Sequence, residues 1–165
     1  MRNKQKGFSL IELLIVVAII LIIAAIAIPN LIRSKMAANE ASAVASIRTV
    51  NTSEVVYSST YNVPNVFSAS LAELGDGSTA GNCTPGSVPT STYACLIDPA
   101  LEVATVSTTP KSGYYFTYAQ GTGTYTIAGA PSALNSTGVR YFFSDQTVVI
   151  RANSGAAANA SSSPI

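Results

Sequence analysis

The sequence predicts an α+β chain: one long N-terminal α-helix, half of it transmembrane, packed on a small antiparallel β-sheet. Three observations carry this. Residues 8–28, FSLIELLIVVAIILIIAAIAI, hold a single charge, Glu12, in 21 positions. Residues 29–61 continue in an Ala-rich composition with apolar side chains three or four positions apart, the spacing of one helix face. Residues 111–151 fall into short aromatic and β-branched runs separated by Gly, Ser and Asp, the pattern of strands and tight turns.

The first segment has the dimensions of a membrane span. At ~1.5 Å per residue it makes a helix of roughly 31 Å, matching the ~30 Å hydrocarbon core of a bilayer. The preceding MRNKQKG carries Arg2, Lys4 and Lys6 and no acid. Positive flanks stay cytoplasmic, so the chain crosses with its N-terminus inside. A plain anchor has no use for Glu12, because a carboxylate in lipid costs roughly 2.5–3.5 kcal/mol at a helix centre, less near an end. An acid placed there calls for a partner.

The order of basic leader, Gly7, Phe8, three residues, Glu12 and apolar run, GFSLIELLIVVAIILIIAAIAIP, resembles the N-terminus of type IV prepilins and of the related type II secretion pseudopilins. The match covers about residues 1–61, and the rest follows that family's general plan without a shared motif. The resemblance implies cleavage after Gly7 by a membrane peptidase that then N-methylates Phe8. It implies that Glu12 neutralises the terminal ammonium of a neighbouring subunit, and that the chain waits in the bacterial inner membrane before an assembly platform adds it to an extracellular filament of identical copies.

Elementary electrostatics agrees. Cleavage would expose an ammonium on Phe8 in an apolar setting, where each charge alone is costly and two opposite ones attract strongly. Within one helix Phe8 and Glu12 lie about a turn apart along the axis, so a neighbouring helix offset along a filament satisfies both charges better. The pair would then set register between subunits. Two blander readings compete. Glu12 alone could snorkel to the headgroups. Ala25-Ile26-Ala27 could serve as a signal-peptide cleavage site, although the apolar run is long for that and acquires its acid early.

After the span, Pro29 removes one helical hydrogen bond and crowds the preceding turn, predicting a kink or local opening. The family carries a proline at this point, which marks Pro29 with Glu12 as an assembly residue. Arg33 and Lys35 read as interfacial charge. Met36, Ala37, Val44, Ile47, Val50, Tyr57 and Tyr61 form an apolar stripe, so this half packs one face on a domain. A single helix over 8–61 would be about 80 Å long. With half its length bare and apolar, it needs lipid or copies of itself. The aromatic residues along it read as packing rather than as an electron path.

Residues 62–110 read as irregular. Asn62-Val63-Pro64-Asn65 stops the helix. Ser70 and Glu73 form a capping-box pattern for a short helix. Residues 96–106, LIDPALEVATV, fit either a short helix starting at Pro99 or a strand. Cys83 and Cys95 follow the membrane span and so face an oxidising compartment. A disulfide is the favoured reading, because two thiols without histidine or CxxC spacing make a poor zinc site. Residues 111–151 read as four strands in a meander, with turns at 121–123 and 144–146. Residues 152–165, ANSGAAANASSSPI, read as a flexible tail.

Composition narrows the function. The chain has 165 residues, 10% of them charged, and no histidine. Without the leader, six basic residues face eight acidic ones, net −2, so no basic patch suggests nucleic acid. No nucleophile elbow, phosphate-binding glycine loop or metal-ligand cluster occurs. The acids that would hold calcium in a major pseudopilin are missing around Asp145, so neither metal nor cofactor is expected. The chain reads as a non-enzymatic type IV pilus subunit serving adhesion or motility. A pseudopilin of a type II secretion or DNA-uptake machine is the alternative.

Overall fold

The computed structural model describes residues 8–61, 66–77 and 81–165. The expected stop at 62–65 and the leader with Gly7 lie outside these. Among the described residues three helices, α1 (Leu10–Thr60), α2 (Leu71–Leu74) and α3 (Pro99–Glu102), precede five strands, β1 (Tyr114–Gly121), β2 (Thr124–Pro131), β3 (Arg140–Asp145), β4 (Arg151–Ser154) and β5 (Ser163–Pro164). The chain divides into two units, one ending at Lys35 and the other running Met36–Ile165. α1 runs through both, and its helical assignment continues without interruption across Pro29.

In the second unit the strands form one antiparallel sheet in the order β1-β2-β3-β4-β5. β1 and β2 pair along their whole length, from Tyr114 opposite Pro131 to Gly121 opposite Thr124. Gly123, at φ +67°, supplies the left-handed residue of that two-residue turn. Tyr114, Phe116, Tyr125, Ile127 and Phe142 point from the sheet into the core. There they meet Ala43, Ile47, Val50 and Tyr57 of α1 and Leu71, Leu74 and Leu101 of the short helices. The close approach is visible at Gly129, where a Cβ would lie 3.3 Å from Phe116 and 3.4 Å from Ile47.

The anticipated stripe on α1 is partly right. Ile47, Val50 and Tyr57 are buried, Met36, Val44 and Tyr61 half-buried, and Ala37 exposed. Interleaved with them, Glu40, Asn51 and Glu54 are also buried. Each is paired, as buried polar groups must be. Tyr125 Oη donates to Asn51 Oδ1 at 2.9 Å, and Asn51 Nδ2 donates to Ser144 Oγ at 2.9 Å, tying α1 to β2 and β3. Glu40 Oε1 accepts from the Val139 and Arg140 amides at 2.9 and 3.2 Å, and Oε2 accepts from Arg140 Nε at 2.7 Å.

Burial alone would raise the Glu40 pKa, but these hydrogen bonds and the Arg140 charge outweigh it and hold the carboxyl below its ordinary value. A depressed folded-state pKa means stability present above the unfolded value and lost as pH falls through the folded one. The melting temperature should therefore drop on acidification below about pH 4.5, and Glu40→Gln should flatten that part of the profile. An unchanged acid limb in Glu40→Gln, followed by circular dichroism, would assign it to other groups.

The ambiguous 96–106 stretch resolves as the helix. Asp98 is the N-cap, its carboxylate accepting from the Leu101 amide at 2.9 Å, and Pro99 takes the first position, where its missing N–H costs nothing. Lys111 pairs with the same Asp98.

The last part of the sheet differs from expectation. The fourth strand does not begin at 147. Asp145 Oδ1 accepts from the Thr147 amide at 2.9 Å, closing a turn, and Val148 sits at φ +63°, a conformation no strand residue has. Pairing resumes only at Arg151. The expected tail then supplies most of β4 and all of β5, and Ala158 is buried. Low-complexity composition concealed this because β4 and β5 are held by backbone bonds, to which small side chains are no obstacle.

Candidate assembly segment

The first unit presents its apolar surface outward on every side. Among its large apolar side chains exposure runs from 79% at Leu10 and 78% at Phe8 to 46% at Val17. Nothing in the apolar window of α1 is buried, and by length and composition the helix suffices to cross a membrane. Leu, Ile, Val and Ala on all faces leave no polar stripe for water, which is the pattern of a helix made for lipid or for other apolar helices.

Glu12 is the exception, and it has a local partner that the sequence reading overlooked. Its Oε2 accepts from the Ser9 amide at 3.0 Å, while Ser9 O accepts from the Leu13 amide at 3.2 Å. Ser9 thus stands at the N-cap and Glu12 at the third helical position, the back-reaching half of a capping box. The Ser-x-x-Glu spacing was legible as such. The carboxylate satisfies an amide that the helix itself cannot, and it stands where the helix dipole favours negative charge. Among the described residues no cation lies within ion-pair distance of Glu12. Phe8, immediately before this cap, is exposed. Pro29 is also exposed, within the apolar part of α1.

The segment matches the family described as the prokaryotic N-terminal methylation motif over residues 2–28. The chain is 37% identical over 119 residues to the type IV wide pilus major component PilA4 of Thermus thermophilus, covering 71% of this chain and 90% of that protein. The chain belongs to the type IV pilin family. No solved structure matches it. This pilin-family protein joins a long apolar N-terminal helix to a small antiparallel sheet, and its family is structural rather than enzymatic. No group of three or more metal-ligating side chains occurs among the described residues.

Far from the span in sequence, Cys83 and Cys95 form a disulfide, with Cα atoms 5.6 Å apart. Asp76 holds one side of its loop, its Oδ1 accepting from the Cys83 amide at 2.5 Å and its Oδ2 from the Gly81 amide. The other side is pinned to α2 by Cys95 N to Gly75 O at 3.0 Å and Leu96 N to Leu74 O at 2.7 Å. Cys83→Ser should cost about 3 kcal/mol on the chain-entropy account of a short loop. Denaturant unfolding of the oxidised protein measures it. A loss below ~1 kcal/mol would mean that the Asp76 and α2 contacts already hold the loop.

Proposed function

We propose that this protein is a structural subunit of a type IV pilus. It is cut after Gly7, N-methylated on Phe8, held in the inner membrane by residues 8–28, and added through its apolar helix to a homo-oligomeric surface filament. The observation that carries this is the segment 8–32: an apolar helix exposed all round, with one carboxylate at its start whose sole partner among the described residues is a backbone amide. In a filament, neighbouring copies of the helix would cover that surface. Glu12 would then meet the Phe8 ammonium of a neighbour, giving two buried charges their compensation. A prepilin peptidase and methyltransferase and an inner-membrane assembly platform are the partners this requires. The relative's description as a wide-pilus major component favours a pilus over a secretion pseudopilin.

The test is electron microscopy of sheared surface fibres with mass spectrometry of their main band. Fibres made of a chain that starts at methylated Phe8 support the proposal. A soluble secreted form beginning at Ile28, or a mature chain confined to the envelope without fibres, removes it.

A further inference from the structure

Glu54 is the one carboxylate that is fully buried, at 0% exposure, and it takes part in neither ion pair among the described residues. It lies between three elements: its own helix α1, the 66–70 segment before α2, and β1. Oε2 accepts from the Ser68 amide at 3.1 Å, and Oε1 lies 2.5 Å from both Ser68 Oγ and Tyr118 Oη. Two further contacts close the cluster. Ser68 Oγ lies 3.2 Å from Tyr118 Oη, and Tyr118 Oη lies 3.0 Å from Ser68 O.

These distances satisfy every group in either protonation state. With Glu54 ionised, the Ser68 amide, the Ser68 hydroxyl and the Tyr118 hydroxyl all donate to the carboxylate. With Glu54 neutral, Oε1–H donates to Tyr118 Oη, Tyr118 in turn donates to Ser68 O, and the Ser68 hydroxyl donates to Oε1. The Ser68 amide bond to Oε2 survives both. The Tyr118 Oη–Ser68 O contact serves only the neutral arrangement.

We propose that Glu54 is a proton-gated latch: neutral, it closes the 66–70 segment onto α1 and β1, and on ionisation it loosens that segment. The surroundings favour the neutral acid. Burial removes water, and the charged neighbour is another acid, Glu73 on α2, whose Oε2 holds the next amide, Ala69, at 2.7 Å. Burial comes first and the Glu73 charge adds to it. Together they outweigh the donated hydrogen bonds and raise the Glu54 carboxyl above its ordinary value. The other titratable groups facing it are tyrosines, Tyr57 on α1, Tyr118 on β1 and Tyr125 on β2, all themselves shifted upward, Tyr57 to about 12. None can supply a counter-charge. Ionisation therefore places a charge without a counter-ion in the core, and it turns the Tyr118 hydroxyl from Ser68 O to the carboxylate, so the segment loses that bond to β1. The 66–70 segment is the part that can yield, since α1 and β1 are held by their own backbone ladders. Its release would also free Phe67, packed edge-on against Tyr125 at 4.7 Å.

The sign follows from linkage. A raised folded-state pKa gives stability that is complete below the unfolded value and is lost as pH rises through the folded one. The experiment is hydrogen exchange of the 66–74 region and thermal melting of the full chain in detergent micelles, from about pH 4 to about pH 9. In the natural protein, exchange at Ser68 and Ala69 should rise about tenfold beyond the intrinsic pH effect as Glu54 ionises, one pKa unit of coupling. Glu54→Gln reproduces the neutral acid, its amide donating to Tyr118 Oη, so that excess should vanish while the melting temperature at neutral pH holds or rises. Tyr118→Phe removes a donor to the charged form, so the transition should move to higher pH, as read by the infrared carbonyl band of the protonated acid. Glu54→Gln that melts lower with its pH slope unchanged overturns the proposal, as does a protonated band that disappears in the ordinary carboxyl range.

Discussion

Glu12→Gln should yield normally processed subunit that fails to enter fibres. The substitution isolates the charge. Gln retains an oxygen to accept from the Ser9 amide, now met at 3.0 Å, and Gln serves a capping box as Glu does. Helix start and length are thereby preserved, and insertion should improve, since a neutral amide costs less in lipid than a carboxylate. The second unit has its own core and should melt unchanged. Under the proposed assembly, what is lost is the counter-charge for a neighbour's Phe8 ammonium. Removing one partner of a buried pair typically costs about 3–5 kcal/mol, and that cost recurs with every subunit added. The quantity to measure is the ratio of fibre to membrane-held subunit, with the mature N-terminus checked separately. Glu12→Ala provides the contrast, since it removes cap and charge together. Normal fibres from correctly cleaved Glu12→Gln protein would reduce Glu12 to a helix cap.

Gly138→Ala should be the most damaging single-methyl change in the second unit. A Cβ at this position would lie 2.1 Å from Tyr114 Oη and 2.7 Å from Cζ. Tyr114 cannot step aside cheaply. Its ring is fully buried, packs against Phe142 at 5.7 Å between centroids, and its hydroxyl donates to Arg140 O at 2.8 Å. The added methyl forces the ring to shift, an overpacking cost of typically 1–3 kcal/mol, and breaks a part-buried hydrogen bond worth about 1–2 kcal/mol more once its partner is left unsatisfied. A total near ~4 kcal/mol is expected in denaturant unfolding. Tyr114→Phe, placed in the Gly138→Ala background, should recover part of this by deleting the nearest clashing atom. If Gly138→Ala is tolerated within ~0.5 kcal/mol, the 132–139 loop adapts without disturbing the core.

Local chemistry was enough to read much of the chain. A run of 21 residues with one charge demands a non-aqueous setting whatever surrounds it. The resemblance to prepilins is what joins the Gly7-Phe8 junction, Glu12 and Pro29 into one unit, and the methylation motif and the relative bear out the family. The Ser70 and Asp98 caps are bonds between near neighbours in sequence, and the β1–β2 hairpin is set by a two-residue turn. Such features depend on spacing, which a sequence displays. Ser9–Glu12 belongs with them, a Ser-x-x-Glu spacing at the start of the apolar run.

Only the tertiary structure decided the polar interior. Glu40 with Arg140, Asn51 with Tyr125 and Ser144, and Glu54 with Ser68 and Tyr118 join residues 14 to 100 positions apart. On a helical wheel those side chains break the apolar stripe and read as solvent-facing. They are buried because the sheet and the loops bring donors to them, and nothing in the local sequence reveals a donor so far along the chain. The same holds for β4 and β5. Their small, uncharged side chains carry no strand pattern, and their place comes from backbone groups left free at the edge of β3, which a sequence cannot show until the sheet is folded.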